Sequence, residues 1–476
     1  MQKIMAADNT IKPSPFLPIL LAIAIFMQQL DATILNTALP AMAVDLGQSP
    51  LNMQSAIIAY AVTLAIMMPL SGFLADKLGS RKLFMGSMVM FMIGSVLCAA
   101  SSNLGLLVIA RVIQGLGGAM LTPVARLTMM QAYDRSKLIT VMNYAIMPAL
   151  IGPVLGPIIG GYLIVYTSWH WIFLLNVPIG LIGLLTTWQI MPNFSNPNDH
   201  FDGVGFFLFA ASAFCMTLTF ETISHFSNVL FGLIMAVAGI GALIAYLFHA
   251  RQNSRALYPP HLILVRTFRV GLAGNMVSRL GMSSLPLLLP LLFQVAFHYD
   301  AITSGWLLMP LALASIIAKP FSKPLMNRFG YRRILTYNTR LIGVLIMSLV
   351  LFNAQSPQWL ILIFLSILGA CNSLQFTSMN TITMADLRAN QVSSGNSLIA
   401  VNQQLALSFG IAIGALLLQI FNRMNYFAHN ITTSFHITFL ILGVFTFLSS
   451  WIFARLHPND GDNLLFRTKE KVLQSK

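Results

Sequence analysis

The stretch GFLADKLGSRKLF, residues 72–84, decides how this chain is built, because KPLMNRFGYRRIL at residues 323–335 repeats its pattern. Each stretch follows the second apolar run of a block of six such runs. The aligned positions that agree in residue or in charge are Leu74 and Leu325, Lys77 and Arg328, Gly79 and Gly330, Arg81 and Arg332, and Lys82 and Arg333. We therefore expect a chain of two related halves.

The composition is that of a membrane protein. The chain has 476 residues, of which 57% are hydrophobic and 8% charged, whereas soluble domains carry about 25% charged residues. Apolar runs of membrane-spanning length occupy residues 16–39, 51–74, 83–101, 104–126, 138–164, 168–191, 203–221, 227–249, 268–297, 302–322, 334–354, 358–384, 393–421 and 433–454. The sequence predicts an all-α integral membrane protein of fourteen transmembrane helices and excludes a water-soluble enzyme.

The repeat and the number of runs together predict the domain organisation. Residues 1–191 form an N-terminal six-helix half, residues 192–267 hold two inserted helices with their linkers, residues 268–454 form the C-terminal six-helix half, and residues 455–476 are a cytoplasmic tail. Two related halves around a central pathway are typical of secondary transporters. We therefore expect a bundle with a central cavity.

The basic residues predict the orientation. With both termini in the cytoplasm, 23 of the 27 Lys and Arg residues fall in inner segments, whereas only Arg423 falls in an outer loop. The positive-inside rule then places both termini in the cytoplasm. One inner loop, residues 193–201, carries no Lys or Arg, so charge does not place the helix pair that follows it.

The repeated loop is a candidate latch between helices. Its charged side chains can form charge-assisted bonds, and Gly72 and Gly79 permit a tight turn and close approach. The candidate latch residues are Gly72, Asp76, Lys77, Gly79, Arg81, Lys82, Arg328 and Arg332. The alternative is that these basic residues only follow the positive-inside distribution and hold no helices together. Asn327 replaces the acid in the second copy, which should weaken the latch there.

The segment GPVLGPIIGG, residues 152–161, predicts close helix packing. Gly152, Gly156 and Gly160 are spaced by four residues and line one helix face, and Gly161 ends the segment. Pro153 and Pro157 should bend the helix. A generic small-residue packing face explains the spacing equally well.

Several of these segments resemble those of one protein family. Residues 72–82 resemble the inner-loop signature of the major facilitator superfamily, RVIQGLGGA at residues 111–119 its fourth-helix motif, and residues 152–161 its fifth-helix antiporter motif. LDATILNTALP at residues 30–40 and WHWIFLLNVPIG at residues 169–180 resemble the fourteen-helix drug:proton antiporter branch, and SSGNSL at residues 393–398 a subgroup of multidrug resistance proteins within it. The resemblance implies antiport of a small molecule against protons in a bacterial inner membrane.

Asp31 is the candidate proton carrier, because it is the only formal charge between Lys12 and Asp45. By helical rise it lies ~8 Å from the outer boundary of a ~30 Å core, and Arg111, on a helix of opposite direction, lies ~10 Å from it. Asp31 could be held ionised by Arg111, or kept protonated by burial until a cavity opens. A static ion pair is the remaining alternative.

Two further arginines lie within apolar runs without an acid in any neighbouring run. Arg279 lies ~16 Å and Arg340 ~10 Å from the inner side. Arg340 is shallow enough to snorkel, and Arg279 could instead cap backbone carbonyls. With Asp31 and Arg111, this leaves three buried cations for one anion, which favours a neutral or anionic substrate. The candidate substrate-cavity residues are Asn36, Gln114, Arg279 and Asn380.

The sequence as a whole predicts proton-coupled export of small organic compounds, drug-like or anionic, by alternating access. Proton-symport uptake and a non-transporting sensor or scaffold remain alternatives. The chain has no GxxxxGK[ST] phosphate loop, and its three cysteines show no metal-ligand spacing. We expect no enzyme activity, cofactor, metal or nucleic-acid partner. Membrane lipid is an expected partner, and the oligomeric state stays open, with a monomer as the expectation.

Overall fold

A computed structural model describes residue 14 and residues 16–133, 135–195, 201–224, 229–253, 255–388, 391–424 and 430–464, without the side chains of residues 135–149, 224 and 393. Every regular element in these ranges is helical. The helices of the N-terminal half are α1 (Leu17–Asp45), α2 (Gln54–Met67), α3 (Leu70–Leu78), α4 (Ser80–Ala99), α5 (Leu104–Ala132), α6 (Arg135–Tyr166), α7 (His170–Leu174) and α8 (Asn176–Ile190).

Two inserted helices and a second half follow. The inserted helices are α9 (Gly203–Ser224) and α10 (Val229–Gln252), and the short α11 (His261–Leu264) lies in the linker. The second half contains α12 (Arg266–Leu291), continued by a π-helical turn to Ala296, α13 (Ala301–Phe329), α14 (Tyr331–Ser348), α15 (Gln358–Met384), α16 (Val392–Arg423) and α17 (Ile431–Ala454).

The helices agree with the predicted spans. In the described ranges, twelve spans are long and apolar enough to cross a membrane. A thirteenth is the pair α2 and α3, bent by 61° at a break that contains Pro69, because proline ends a regular helix. The remaining predicted span is α6, whose apolar segment Leu150–Tyr166 is shorter. The predicted all-helical membrane fold is confirmed, and these helices are compatible with fourteen spans.

Helix packing repeats between the halves. In the first half α1 packs on α6, α2 on α5, and α4 on α7 and α8. In the second half α12 packs on α16, α13 on α15, and α14 on α17. The halves meet where α6 packs on α13 and α2 on α16. The same three pairings in each half are the structural counterpart of the sequence repeat.

The two repeated loops have the same backbone turn. Gly79 has φ of 93° and Gly330 has φ of 79°, a region in which a residue with a Cβ is strained. A Cβ on Gly79 would also collide with Asn193. Gly72 differs from expectation, because nothing lies within 4 Å of its Cβ position. Close approach therefore depends on Gly79 alone.

One end of the bundle carries these turns, together with Arg388 and Arg455, and we call it the basic end. At the opposite, far end, buried side chains of both halves form one continuous cluster, which includes Leu39 on α1 and Leu291 on α12. Gln294 donates from Nε2 to the Thr37 carbonyl across the halves, at 3.0 Å. Toward the basic end each half also has its own cluster, and a further cluster joins Ala65 on α2 to Val401 on α16. The bundle is therefore closed at the far end.

The inserted helices form a hairpin that lies against both halves. α9 packs on α2 and α16 as well as on α10. At the basic end, Asp202 accepts hydrogen bonds from His249 at 2.8 Å, from the Gly205 amide at 3.0 Å and from the Leu257 amide at 3.1 Å. Burial acts to raise the pKa of Asp202, but these hydrogen bonds outweigh it and lower the pKa. The hairpin is thereby tied to the linker that leads into the second half.

Candidate coupling and substrate site

The structure places Asp31 in a buried ion pair with Arg111. Asp31 is 1% exposed, and its Oδ2 accepts a hydrogen bond from Arg111 Nη1 at 2.7 Å. Its Oδ1 accepts from Gln114 Nε2 at 2.8 Å and from Asn176 Nδ2 at 2.9 Å. Both carboxylate oxygens thus face donors only, which matches an ionised carboxylate.

Three helices hold Arg111 in place. Its Nε donates to the Ala56 carbonyl on α2 at 3.3 Å, and its Nη1 also donates to Gln114 Oε1 at 2.6 Å. The guanidinium carbon lies 4.3 Å from the centroid of the Tyr60 ring and 5.8 Å from that of Phe173. Aromatic faces attract a desolvated cation. The arginine is therefore stabilised by its surroundings as well as by Asp31.

The network extends to α4 and α8 through uncharged groups. Ser95 Oγ on α4 accepts from Gln114 Nε2 at 2.8 Å and from Asn176 Nδ2 at 3.2 Å. A Cβ at Gly94 would lie 2.5 Å from the Gln114 backbone nitrogen, so glycine is what lets α4 approach α5 this closely. The network consequently joins α1, α2, α4, α5 and α8. A change in the charge of Asp31 would therefore alter hydrogen bonds that connect all five helices.

Sequence reasoning missed Asn176 and Ser95. Asn176 lies within the segment at residues 169–180 that carries the family resemblance. Ser95 has no signal in the sequence, because serine is common in membrane helices. Gln114 was expected in the substrate cavity, but it is fully buried beside Asp31.

Arg279 lies in a different environment on α12. It is half-buried, and its guanidinium carbon lies 5.0 Å from the centroid of the Phe376 ring on α15. Among the described residues no carboxylate pairs with it. Asn275, one turn away on α12, is fully buried and has no hydrogen-bond partner for either amide atom within the described ranges. Arg279 is thus a cation whose charge the described protein groups do not neutralise.

The other two cavity candidates lie apart from each other. Asn380 on α15 is half-buried, and its Oδ1 accepts from Gln403 Nε2 on α16 at 2.8 Å. Asn36 is 7% exposed and lies in the stretch of α1 that belongs to the far-end closure. Its Oδ1 has no partner in the described part of the chain. Asn36 is therefore almost enclosed in this conformation.

The glycine-rich face of α6 lies directly on α1. A Cβ on Gly152 would lie 3.0 Å from the Leu30 nitrogen, and one on Gly160 would lie 2.9 Å from the Ile34 carbonyl oxygen. A Cβ on Gly156 would collide with the Thr33 hydroxyl, and one on Gly161 with the Ala301 carbonyl on α13. Pro157 lies at the same contact, where its carbonyl faces Gly305. These glycines bring α6 against the helix that carries Asp31 and against the other half.

The latch residues show one set of contacts that the sequence did not suggest. The Ser80 amide donates to the Phe194 carbonyl at 2.8 Å, the Phe194 amide donates to Ser80 Oγ at 2.9 Å, and the Arg81 amide donates to Asn193 Oδ1 at 3.1 Å. Lys77 lies 5.6 Å from the centroid of the Phe73 ring. The segment after α8 is therefore joined to the start of α4, and the latch role of the charged side chains stays a prediction.

Two similar helical halves, membrane-spanning helices and a charge network sealed inside one half define a class, that of membrane transporters. The chain belongs to the Major Facilitator Superfamily, whose sequence profile matches residues 21–265 and 271–475. The resemblance stated from the motifs is confirmed.

Two curated relatives and two solved transporter structures are similar to this chain. The "Probable transport protein HsrA" of Haemophilus influenzae is 41% identical over 446 residues, 93% of this chain and 96% of that protein. The "Putative multidrug resistance protein MdtD" of Escherichia coli is 41% identical over 447 residues, 93% of this chain and 94% of that protein. A D-xylose–proton symporter shares the fold with a TM-score of 0.67 at 12% identity, over 94% of this chain and 98% of that one. The POT family transporter PepTSo has a TM-score of 0.66 at 11% identity, over 92% and 97%.

Proposed function

We propose that this transporter exports small organic compounds, drug-like molecules or organic anions, from a bacterial cytoplasm in exchange for protons. The observation that carries the proposal is the environment of Asp31. A carboxylate that is 1% exposed and bonded only to donors binds a proton only after its partners move. Intramembrane acids in such positions mark proton pathways. The name of MdtD supports the drug-like substrate class.

The conformation of the bundle supports the order of steps. The far end is closed by a cluster shared between the halves, and by the positive-inside rule the basic end faces the cytoplasm. We interpret this conformation as the cytoplasm-facing state, in which Asp31 is paired with Arg111. When the far end opens, Asp31 separates from its donors and takes a proton from the periplasm. The halves then rock back, and substrate binding from the cytoplasm accompanies release of the proton.

Arg279 and its neighbours are the proposed contacts for substrate. Arg279 on α12 faces Phe376 on α15, and Asn380 lies one turn further along that helix. A half-buried guanidinium without a carboxylate partner in the described chain favours a ligand with a negative or carboxylate-like group. The Phe376 ring offers apolar contact to the rest of such a ligand.

The proposed location is the bacterial inner membrane, with both termini in the cytoplasm and a monomer as the working unit. The distribution of basic residues supports this orientation. Impermeant thiol labelling of a single cysteine introduced at Lys77, in a chain from which the three native cysteines have been removed, checks it. Labelling from the periplasmic side would reverse the topology.

Transport driven by a pH gradient tests the coupling role. Proteoliposomes with the basic end outward and an acidic lumen should accumulate a dye, ethidium or fluorescein, in the parent protein. Asp31→Asn should abolish this uphill accumulation and leave dye exchange at equal pH, because the amide cannot carry a proton. Asp45→Asn is the matched control, since Asp45 is the exposed last residue of the same helix.

Each other outcome would contradict part of this proposal. Uphill accumulation by Asp31→Asn equal to that of the parent would remove Asp31 from coupling. Accumulation only when protons and dye move in the same direction would establish symport. Absence of exchange in the parent for every compound of a broad cationic, neutral and anionic panel would favour a sensor or scaffold.

A further inference from the structure

A further cation, Arg340, lies on the surface of the second half, away from the proposed coupling and substrate sites. Arg340 on α14 is half-buried in the groove between α14 and α17. Its Nε donates to Ser450 Oγ on α17 at 3.2 Å. Its guanidinium carbon lies 5.7 Å from the centroid of the Tyr337 ring and 5.9 Å from that of Phe447. Neither proposed site uses this residue.

The guanidinium has donors to spare. Arginine carries five N–H groups, and in the described ranges no protein group accepts from the Nη1 or Nη2 of Arg340. α14 and α17 contain no Asp or Glu. An unneutralised cation against hydrocarbon is costly, so an acceptor from outside the chain would stabilise this arrangement.

The groove leads to further positive charge at the basic end. Arg333 lies two turns before Arg340 on the same face of α14, ~10 Å along the axis, and is exposed. Arg455 follows the last residue of α17 and is also exposed. The groove therefore has one cation inside it and two at its mouth. The carboxylates of the segment after α17 are Asp460, which is paired with Arg266, and Asp462.

Aromatic rings border the groove at the depth of a membrane interface. Tyr337 is 64% exposed and Trp451 is 63% exposed. Exposed Tyr and Trp near the ends of membrane helices lie at the level of lipid headgroups. Below Arg340, Gly343 and Gly443 bring the helix backbones together, since a Cβ on Gly343 would lie 2.6 Å from the Phe447 nitrogen. The groove thus ends in a closed floor just beyond Arg340.

We propose that this groove binds the phosphate of an anionic phospholipid, with Arg340 as its inner contact and Arg333 and Arg455 at its mouth. Basic grooves between membrane helices on the cytoplasmic side suit such headgroups. The acyl chains would lie along the exposed apolar side chains of the same helices, such as Leu341 and Leu448, which are 46% and 44% exposed. The proposal does not rest on the substrate or the direction of transport.

Lipid-dependent thermal unfolding of the full-length protein in detergent tests the proposal. Phosphatidylglycerol, titrated into the micelles, should raise the unfolding temperature of the parent, and phosphatidylcholine and inorganic phosphate should not. Arg340→Gln should weaken the apparent affinity for phosphatidylglycerol about fivefold, the effect of one interfacial charge, while Arg340→Lys should keep most of it. Arg388→Gln is the matched control, an exposed arginine of the basic end on the loop between α15 and α16.

A second variant keeps the test decisive if Arg340→Gln does not fold. Arg333→Gln combined with Arg455→Gln changes exposed positions only, and it should weaken phosphatidylglycerol binding at least as much. Equal weakening by Arg388→Gln would reduce the effect to general surface charge. Unchanged binding in the Arg333/Arg455 double variant, equal stabilisation by phosphatidylcholine, or stabilisation by inorganic phosphate would each overturn the proposal.

Discussion

The central helices of the two halves, α1 and α12, pack on corresponding partners and differ in their charge. α1 carries Asp31, whose charge is neutralised by Arg111 and enclosed on every side. α12 carries Arg279, which is half-buried and meets an aromatic ring but no carboxylate in the described ranges. The same helix arrangement therefore holds a satisfied anion in one half and an unsatisfied cation in the other.

A polar network is present in the second half as well, but it is neutral. Asn338 on α14 donates to Gln375 Oε1 at 2.9 Å and to the Cys371 carbonyl at 2.9 Å, and Gln375 Nε2 donates to Thr339 Oγ1 at 2.7 Å. These groups carry no proton-dependent charge near neutral pH. In the function proposed above, the first half therefore binds the proton and the second half contacts the charge of the ligand.

The largest effect should follow from Arg111→Gln. Removal of one partner of a buried ion pair leaves an uncompensated charge, which costs about 3–5 kcal/mol. We expect a loss of that order in the free energy of unfolding, measured by denaturant titration in micelles. The double variant Asp31→Asn, Arg111→Gln should be less destabilised than the single one, because no charge is left unpaired.

A small loss in Arg111→Gln, with no recovery in the double variant, would contradict this account. It would mean that water reaches Asp31 in the folded protein. The first half would then hold a hydrated acid, and the contrast with Arg279 would lose its basis.

An intermediate effect is expected for Arg279→Gln, and on binding rather than on stability. A hydrogen bond to a charged group contributes about 1.5–3 kcal/mol, so an anionic ligand such as fluorescein should bind about tenfold more weakly or worse. A cationic ligand such as ethidium should bind equally well or better. Equal losses for both ligands, or tighter binding of cations by the parent, would end the anion-selective proposal.

The smallest effect should follow from Gln375→Leu. Asn338 keeps its bond to the Cys371 carbonyl, so the variant loses neutral hydrogen bonds only, worth about 1 kcal/mol in the free energy of unfolding. Proton-driven transport should continue. Loss of coupling in this variant, comparable to that of Asp31→Asn, would show that the second half also takes part in proton binding.

The sequence by itself determined the membrane class, the helix pattern and the repeat. The length of an apolar run predicts a membrane-spanning helix directly, because every backbone polar group in lipid must be bonded within its own helix. Gly79 and Gly330 could likewise be predicted from the sequence, because their positive φ values are set by a local turn. The depth of Asp31 and Arg111 along their helices also follows from helical rise alone, and the ion pair agrees with it.

Tertiary structure alone decided which side chains meet. Gln114 looked like a cavity residue, yet the close approach of α4 at Gly94 places it beside Asp31. Asn176 and Ser95 joined the same network from helices far apart in the chain. Arg340 was expected to snorkel or to remain an internal charge, and the packing of α14 on α17 places it half-buried beside Ser450. Depth is a property of one helix, whereas rotation and partner choice depend on how several helices pack, and a single sequence carries no local signal for that.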